Sequence, residues 1–235
     1  MFDCFQALGK LCGFFDAECE QTIERLFDRT VEFDRGTHLL WQGEKAESVY
    51  LLCSGWAARY ILAEQGRRQI VELLLPGDII PDPSGRHGLM EDSVVALNHC
   101  TTAACSPAAL EDAMMAQPNL ARTFAWRGRR DKAILRAWIA NIGQRNAIAR
   151  TAHLISELSV RLAQAGMVHN GRFEIPLTQE DLGDTLGITS VHMNRTLMEL
   201  RARGLLDLRS KRAYLHDEAG IKRTGNFDGA YLSPA

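Results

Sequence analysis

The chain has 235 residues, 46% of them hydrophobic, and 27 Lys/Arg against 29 Asp/Glu give a formal net charge of −2. That length accommodates one large or two ordinary domains. No run of about 18 apolar residues occurs, so no membrane span is expected, and any contact with nucleic acid must come from a local basic patch, not from global charge.

The amino-terminal stretch MFDCFQALGKLCGFF has no basic leader and carries Lys10 inside its apolar part, which makes it a poor secretory signal. The 6 cysteines lack the spacing of a small disulfide framework, so a reducing cytoplasm is the expected setting. Glu18–Asp28 reads as an amphipathic helix with Ile23, Leu26 and Phe27 on one side. Glycines at 43, 55, 66 and 77 then fall 12, 11 and 11 residues apart. Between them lie the strand-like runs Val49–Cys53, Trp56–Leu62 and Arg68–Leu75, with Glu64-Gln65-Gly66 as a hairpin tip and Pro76-Gly77-Asp78 as a sharp turn. Ser93–Leu97 and Thr101–Ser106 continue the series, and turn signals at this interval indicate an antiparallel sandwich or roll.

Pro107 starts a short helix with Leu110 and Met114 inward, and Pro118 interrupts it. A long helix is expected from Asn119 to about Ile142, striped by Leu120, Phe124, Leu135, Trp138, Ile139 and Ile142 and broken by the polar stretch Arg127–Lys132. The stripe either packs on the chain's own roll or pairs two subunits. Pairing is favoured because dimers commonly place two reading heads on paired half-sites. The expected dimer face is therefore Leu120, Phe124, Leu135, Trp138 and Ile142. Gly143 is read as a hinge, Gln144–Ala165 as a further helix and His169–Phe173 as a loop.

Leu177–Leu206, LTQEDLGDTLGITSVHMNRTLMELRARGLL, has the pattern of two short helices and a tight turn. Thr178 is a candidate N-cap with Asp181 three residues on, a variant of the capping box. Gly183 sits mid-helix, where glycine costs about 1 kcal/mol against alanine, and a close approach of chain would explain it. Gly187 suits a left-handed stop and Thr189 a second cap. Met193, Leu197 and Leu200 share the inward face, leaving Val191, Asn194, Arg195 and Met198 outward. Arg pairs bidentately with guanine and Asn with adenine, so this outward face is chemically fit to read bases. Leu205–Leu208 and Ala213–Leu215 flank the basic tip Arg209-Ser210-Lys211-Arg212 and read as a hairpin wing. From Thr189 to Leu215 six basic residues stand against two acids, a local excess suited to phosphate. Arg223–Ala235 reads as a loose tail.

A roll, a long helix and a carboxy-terminal winged helix in this order resemble the Crp/Fnr family of bacterial transcription regulators. Gly55, Gly66 and Pro76-Gly77-Asp78 carry the likeness in the roll, and LTQEDLGDTLGITSVHMNRTL carries it most specifically. The expected fold is α+β: an antiparallel, cyclic-nucleotide-binding-like β-roll, a central dimerisation helix and a winged helix-turn-helix. The expected divisions are 1–117, 118–143, 144–222 and the tail 223–235. The resemblance implies a homodimer on two-fold symmetric double-stranded DNA, in contact with RNA polymerase. Its base-reading positions fall on Ser190, Val191, Asn194 and Arg195. Thr178, Gln179, Thr189, His192, Arg201, Arg209, Lys211 and Arg212 are the expected phosphate contacts. Val191 replaces an acid that is frequent in the family, and can make only apolar contact, for example with a thymine methyl.

Family members that bind cyclic nucleotides follow the Pro-Gly-acid turn with Gly-Glu and place Arg-Ser ten residues later. Here Pro81-Asp82 and Asp92-Ser93 occupy those places, so Asp82, Asp92 and Ser93 form a degenerate nucleotide pocket. A carboxylate about 4 Å from a phosphate charge costs roughly 4 kcal/mol at an effective dielectric of 20, so control by cyclic AMP is not expected. Oxygen-sensing relatives hold an iron–sulfur cluster. Cys4, Cys12 and Cys19 are separated by seven and six residues with no C-x2-C pair, so no cofactor is expected and the cluster is the minor alternative. No metal site is read from the scattered histidines. The acidic loop residues Asp82, Glu91 and Asp92 read as solvated. No P-loop, H-E-x-x-H or G-x-S-x-G occurs, so no enzyme is expected. The competing reading is a redox or small-molecule receptor whose winged helix serves protein contacts.

Overall fold

The computed structural model describes residues 4–9, 12–81 and 89–233, which divide into two compact units. The first spans residues 1–62 and 71–132, and the second residues 63–70 and 133–233. The expected division set the central helix apart as 118–143. The long helix is shared between the two units, and the hairpin tip at 63–70 belongs to the second.

In the first unit, α1 (Cys4–Gly9) and α2 (Ala17–Leu26) precede the strands β1 (Arg29–Phe33), β2 (His38–Leu40), β3 (Val49–Ser54) and β4 (Ala57–Leu62). β5 (Arg68–Leu74), β6 (Ile79–Ile80), β7 (Ser93–Ala96) and β8 (Cys100–Cys105) follow. They form two four-stranded sheets in the orders β1-β8-β3-β6 and β2-β7-β4-β5. The register pairs Val31 with Thr102, Leu51 with Ala103 and Ala58 with Val95, all antiparallel. Alternation along β3 divides its side chains between two cores. Leu52 joins Phe33, Leu40, Ala57, Leu74 and Val94 inside the roll. Val49 and Leu51 face outward to α2, α3 (Pro107–Ala116) and the start of α4 (Pro118–Gln144), meeting Ile23, Leu110, Leu120 and Phe124. Ser106 caps α3 by accepting from Ala109 N, with Pro107 at the first helical position. Gly55 has φ +83, and a Cβ there would stand 2.3 Å from His99 O, so no other residue fits that turn.

Part of the expected helix stripe is covered within the chain. Leu120 and Phe124 are buried within their own chain, and so is Trp138, which donates to Glu157 at 3.0 Å. They are not free to meet a second subunit. α4 instead leaves Leu135 and Ile139 exposed, Ile139 at 72%, with Ile142 partly covered. Gly143 does not break the helix, which runs on to Gln144; the stop comes where Asn146 caps α5 (Ala147–Gln164) by accepting from Ala149 N.

α5 is the core helix of the second unit, with Leu154, Ile155, Leu158 and Leu162 fully enclosed. The expected loop after it, 169–173, turns at 170–171 and runs into a strand, β9 (Arg172–Glu174), on the outer edge of the sheet β10-β11-β9 formed with β10 (Leu206–Arg209) and β11 (Arg212–Leu215). The tail is also corrected. Through residue 233 it forms α8 (Glu218–Thr224) and a 3-10 turn, Gly229–Leu232, anchored by the buried Ile221 and Leu232. Tyr231 donates to Glu157 Oε2 at 2.7 Å.

Candidate nucleic-acid interface

The two helices of the reading motif are α6 (Gln179–Leu186) and α7 (Ser190–Ala202). Thr178 and Asp181 form a reciprocal capping box at the start of α6. Gly187 stops that helix at φ 66, and Thr189 caps α7 by accepting from His192 N. Leu182, Leu186, Met193 and Leu200 bury the contact, while Leu197 is only partly covered and Thr196 is enclosed beside them. A Cβ on Gly183 would stand 2.5 Å from Ile188 O, so the glycine admits the turn itself.

Burying that face leaves Ser190, Val191, Asn194, Arg195 and Met198 together on the open side of α7. Val191 and Met198 are each 63% exposed, apolar surface with no structural role in the motif. Arg195 makes no ion pair among the described residues, whereas most neighbouring cations do. Arg201 is turned to Asp207 and Arg203 to Glu199. Arg209 stands 3.8 Å from Asp207, and Arg212 3.8 Å from Glu174. Lys211, at the hairpin tip, makes no such pair among the described residues, and it and Ser210 both have positive φ, as a tight hairpin turn requires.

Two of the expected phosphate contacts are engaged within the chain. Both donors of Thr178 are used inside the capping box: its N and Oγ1 reach Asp181 Oδ2 at 2.9 and 2.7 Å. Arg201 is held by Asp207 through both Nε and Nη2. Gln179, Thr189, His192 and Lys211 retain a donor that faces water, and Arg209 and Arg212 are only loosely paired.

Sequence reasoning missed two features of this site. Asn194 Nδ2 donates to Gln179 Oε1 at 3.1 Å, joining the two helices on their open side. Arg68, from the 63–70 hairpin tip, binds Asp181 Oδ1 at 2.7 Å and Asp184 Oδ2 at 2.8 Å. Gln69 Nε2 adds a bond to Thr185 O at 3.3 Å. Burial alone would raise the Asp181 pKa, but the bonds from Thr178 and the Arg68 guanidinium outweigh it and hold the carboxyl below its usual value. The partners of Arg68 lie 113 and 116 residues away, and no local pattern signals such a pair.

In the first unit the degenerate pocket is also rearranged. Asp82 lies outside the described residues. Asp92 is not a bare charge: Arg59 Nη1 reaches its Oδ1 at 2.7 Å, while Arg59 Nε reaches Glu72 Oε2 at 2.8 Å. Burial disfavours the charged guanidinium, yet the two carboxylates prevail and raise its pKa. Ser93 is buried, and its hydroxyl accepts from Gln42 N at 3.0 Å, a structural use.

The cysteines depart from expectation in one respect, since Cys4 and Cys53 form a disulfide joining α1 to β3. Cys12, Cys19, Cys100 and Cys105 are free and buried. Burial pushes the Cys100 thiol up to about 11 and Cys105 up to about 12, away from the thiolate that binds iron. Among the described residues no group of three or more His, Cys, Asp or Glu gathers to hold a metal.

Comparison with known proteins agrees with both units. Residues 149–224 match the Crp-like helix-turn-helix domain, and residues 30–117 the cyclic nucleotide-binding domain. The chain is 28% identical over 234 residues to the transcriptional activator protein FnrL of Cereibacter sphaeroides, covering 95% of this chain and 93% of that one. It is 27% identical over 218 residues to the fumarate and nitrate reduction regulatory protein of Escherichia coli, covering 89% and 83%. Among solved structures, FixK2 from Bradyrhizobium japonicum matches with a TM-score of 0.76 at 22% identity, covering 83% of this chain and 96% of that one. These relatives are regulators and not enzymes, and no helix among the described residues is long and apolar enough to cross a membrane. With its roll, its two-helix reader and its wing in this order, the chain belongs to the Crp/Fnr family of DNA-binding transcription regulators.

Proposed function

We propose that this regulator is a homodimer that reads a two-fold symmetric DNA site through α7, without control by cyclic AMP. The observation that carries the reading is the open face of α7. Ser190, Val191, Asn194 and Arg195 share it, and among the described residues Arg195 has no acidic partner in a region where most other cations have one. Lys211 at the wing tip, with Gln179 and Thr189 at the two helix starts, supplies donors for the flanking phosphates. Two heads are needed because one helix in one groove covers few base pairs. The exposed Leu135 and Ile139 on α4 give a second copy an apolar face to cover. RNA polymerase as partner and the cytoplasm as place of action follow from this reading.

Independence from cyclic AMP is supported by Arg59, whose guanidinium is already shared by Glu72 and Asp92. A cyclic phosphate entering there meets a net negative triad. Titration calorimetry should show no binding at micromolar nucleotide; a micromolar Kd would overturn this part. For the main reading, Arg195→Ala should lose about 1–3 kcal/mol on the preferred duplex and relax one base pair per half-site. Equal binding of all duplexes by variant and parent at fixed salt would contradict it.

A further inference from the structure

Asn194 and Gln179 stand on different helices and meet side chain to side chain. The motif does not need this bond for its shape. α6 and α7 have their own caps, and Leu182, Leu186 and Met193 bury their contact. Both amides are exposed, so water replaces the bond at little cost in stability. What the bond sets is direction. A free asparagine amide turns through a broad, roughly two-fold torsion and presents its oxygen or its nitrogen to either side. With one N–H held by Gln179 Oε1, Asn194 keeps one N–H and one carbonyl oxygen to offer outward.

That pair of groups has one good match among the base edges of the major groove. Adenine shows an N7 acceptor beside an N6–H donor, whereas guanine shows two acceptors, N7 and O6, and would oppose the asparagine oxygen. We propose that Gln179 is a positioning residue for base reading, whose Oε1 sets the Asn194 amide to select adenine. The proposal rests on the DNA-reading function above. Gln179 is the first residue of α6, beside the capping residue Thr178. Its Nε2 makes no hydrogen bond among the described residues. A phosphate oxygen near that nitrogen turns Nε2 toward the anion and leaves Oε1 toward Asn194. One side chain then takes a backbone contact and fixes a base contact.

The test uses the full chain and the duplex it selects from a random pool. That duplex is varied one base pair at a time at a single salt concentration. Asn194→Ala identifies the base pair it reads. There the parent should prefer adenine over guanine by about tenfold or more. Gln179→Ala should cut that preference about threefold or more while leaving the base pair read by Arg195 unchanged. Gln179→Glu keeps the oxygen that holds Asn194 but faces phosphate with a negative charge. It should keep the preference while weakening every duplex alike. A uniform loss in Gln179→Ala with an unchanged profile would make Gln179 a phosphate contact only and overturn the proposal; so would loss of the preference in Gln179→Glu. An unchanged profile in Asn194→Ala would remove the base contact, and this proposal with it. If Arg195→Ala were also without effect, the DNA-reading function itself would fail.

Discussion

At Gly183 a single added carbon decides whether α6 can close onto the turn that follows it. The mid-helix glycine was legible in the sequence as a point of close approach, but its partner, the backbone carbonyl of Ile188, was not. Backbone cannot swing aside as a side chain end can, so Gly183→Ala should destabilise the fold by about 1–3 kcal/mol. For a chain of this size that lowers Tm by roughly 2–12 °C in a thermal melt, and an unchanged Tm would refute the close contact. His153 offers a second residue-scale test. Burial, with a smaller contribution from the Arg145 charge, lowers its pKa to about 4, against about 6.5 in an unfolded chain. The folded protein therefore keeps His153 neutral while the unfolded chain takes up a proton, and stability is lost as pH falls from about 6.5 toward 4. The slope approaches about 1.4 kcal/mol per pH unit. Melts of His153→Phe over this window should show a shallower decline than the parent; parallel declines would count against it.

Elements were legible where their period was clean. The reader helices, the wing and the main strands of the roll all lie close to where turn signals and apolar spacing place them. The strands β2, β6 and β9 were not, because two or three residues hold too little periodicity to separate strand from loop, and β1 was missed as well. The α4 stripe shows a different limit. Periodicity marks that a face is apolar without saying what covers it, and Leu120, Phe124 and Trp138 are covered by their own chain. The tail was misread because glycine and proline punctuation hid two anchors, Tyr231 and Leu232. On the dimer reading the interface moves to the exposed Leu135 and Ile139. Ile139→Glu would place an unpaired charge in that seam and should weaken dimerisation at least about tenfold. Sedimentation equilibrium should find the parent dimeric and the variant shifted to monomer. Equal masses for the two proteins would remove Ile139 from the interface.

Across the whole molecule, the order of roll, long helix and reader was legible because each part has its own turn spacing or helix pattern. The assignment of residues 63–70 to the reader's unit was not. It depends on Arg68 meeting Asp181 and Asp184 over more than a hundred residues of chain. The charge balance shows the same limit. A sequence count finds six cations around the reader, while the structure pairs most of them, and Arg195 and Lys211 make no ion pair among the described residues. The central claim is that α7 of a dimer reads base edges. It is tested most directly by selecting duplexes from a random pool with the parent protein and with Arg195→Ala. The parent should enrich a two-fold symmetric site with half-sites about one helical turn apart, and the variant should lose its preference at one base pair in each half. Enrichment of no common sequence by the parent, or the same motif from both proteins, would contradict it.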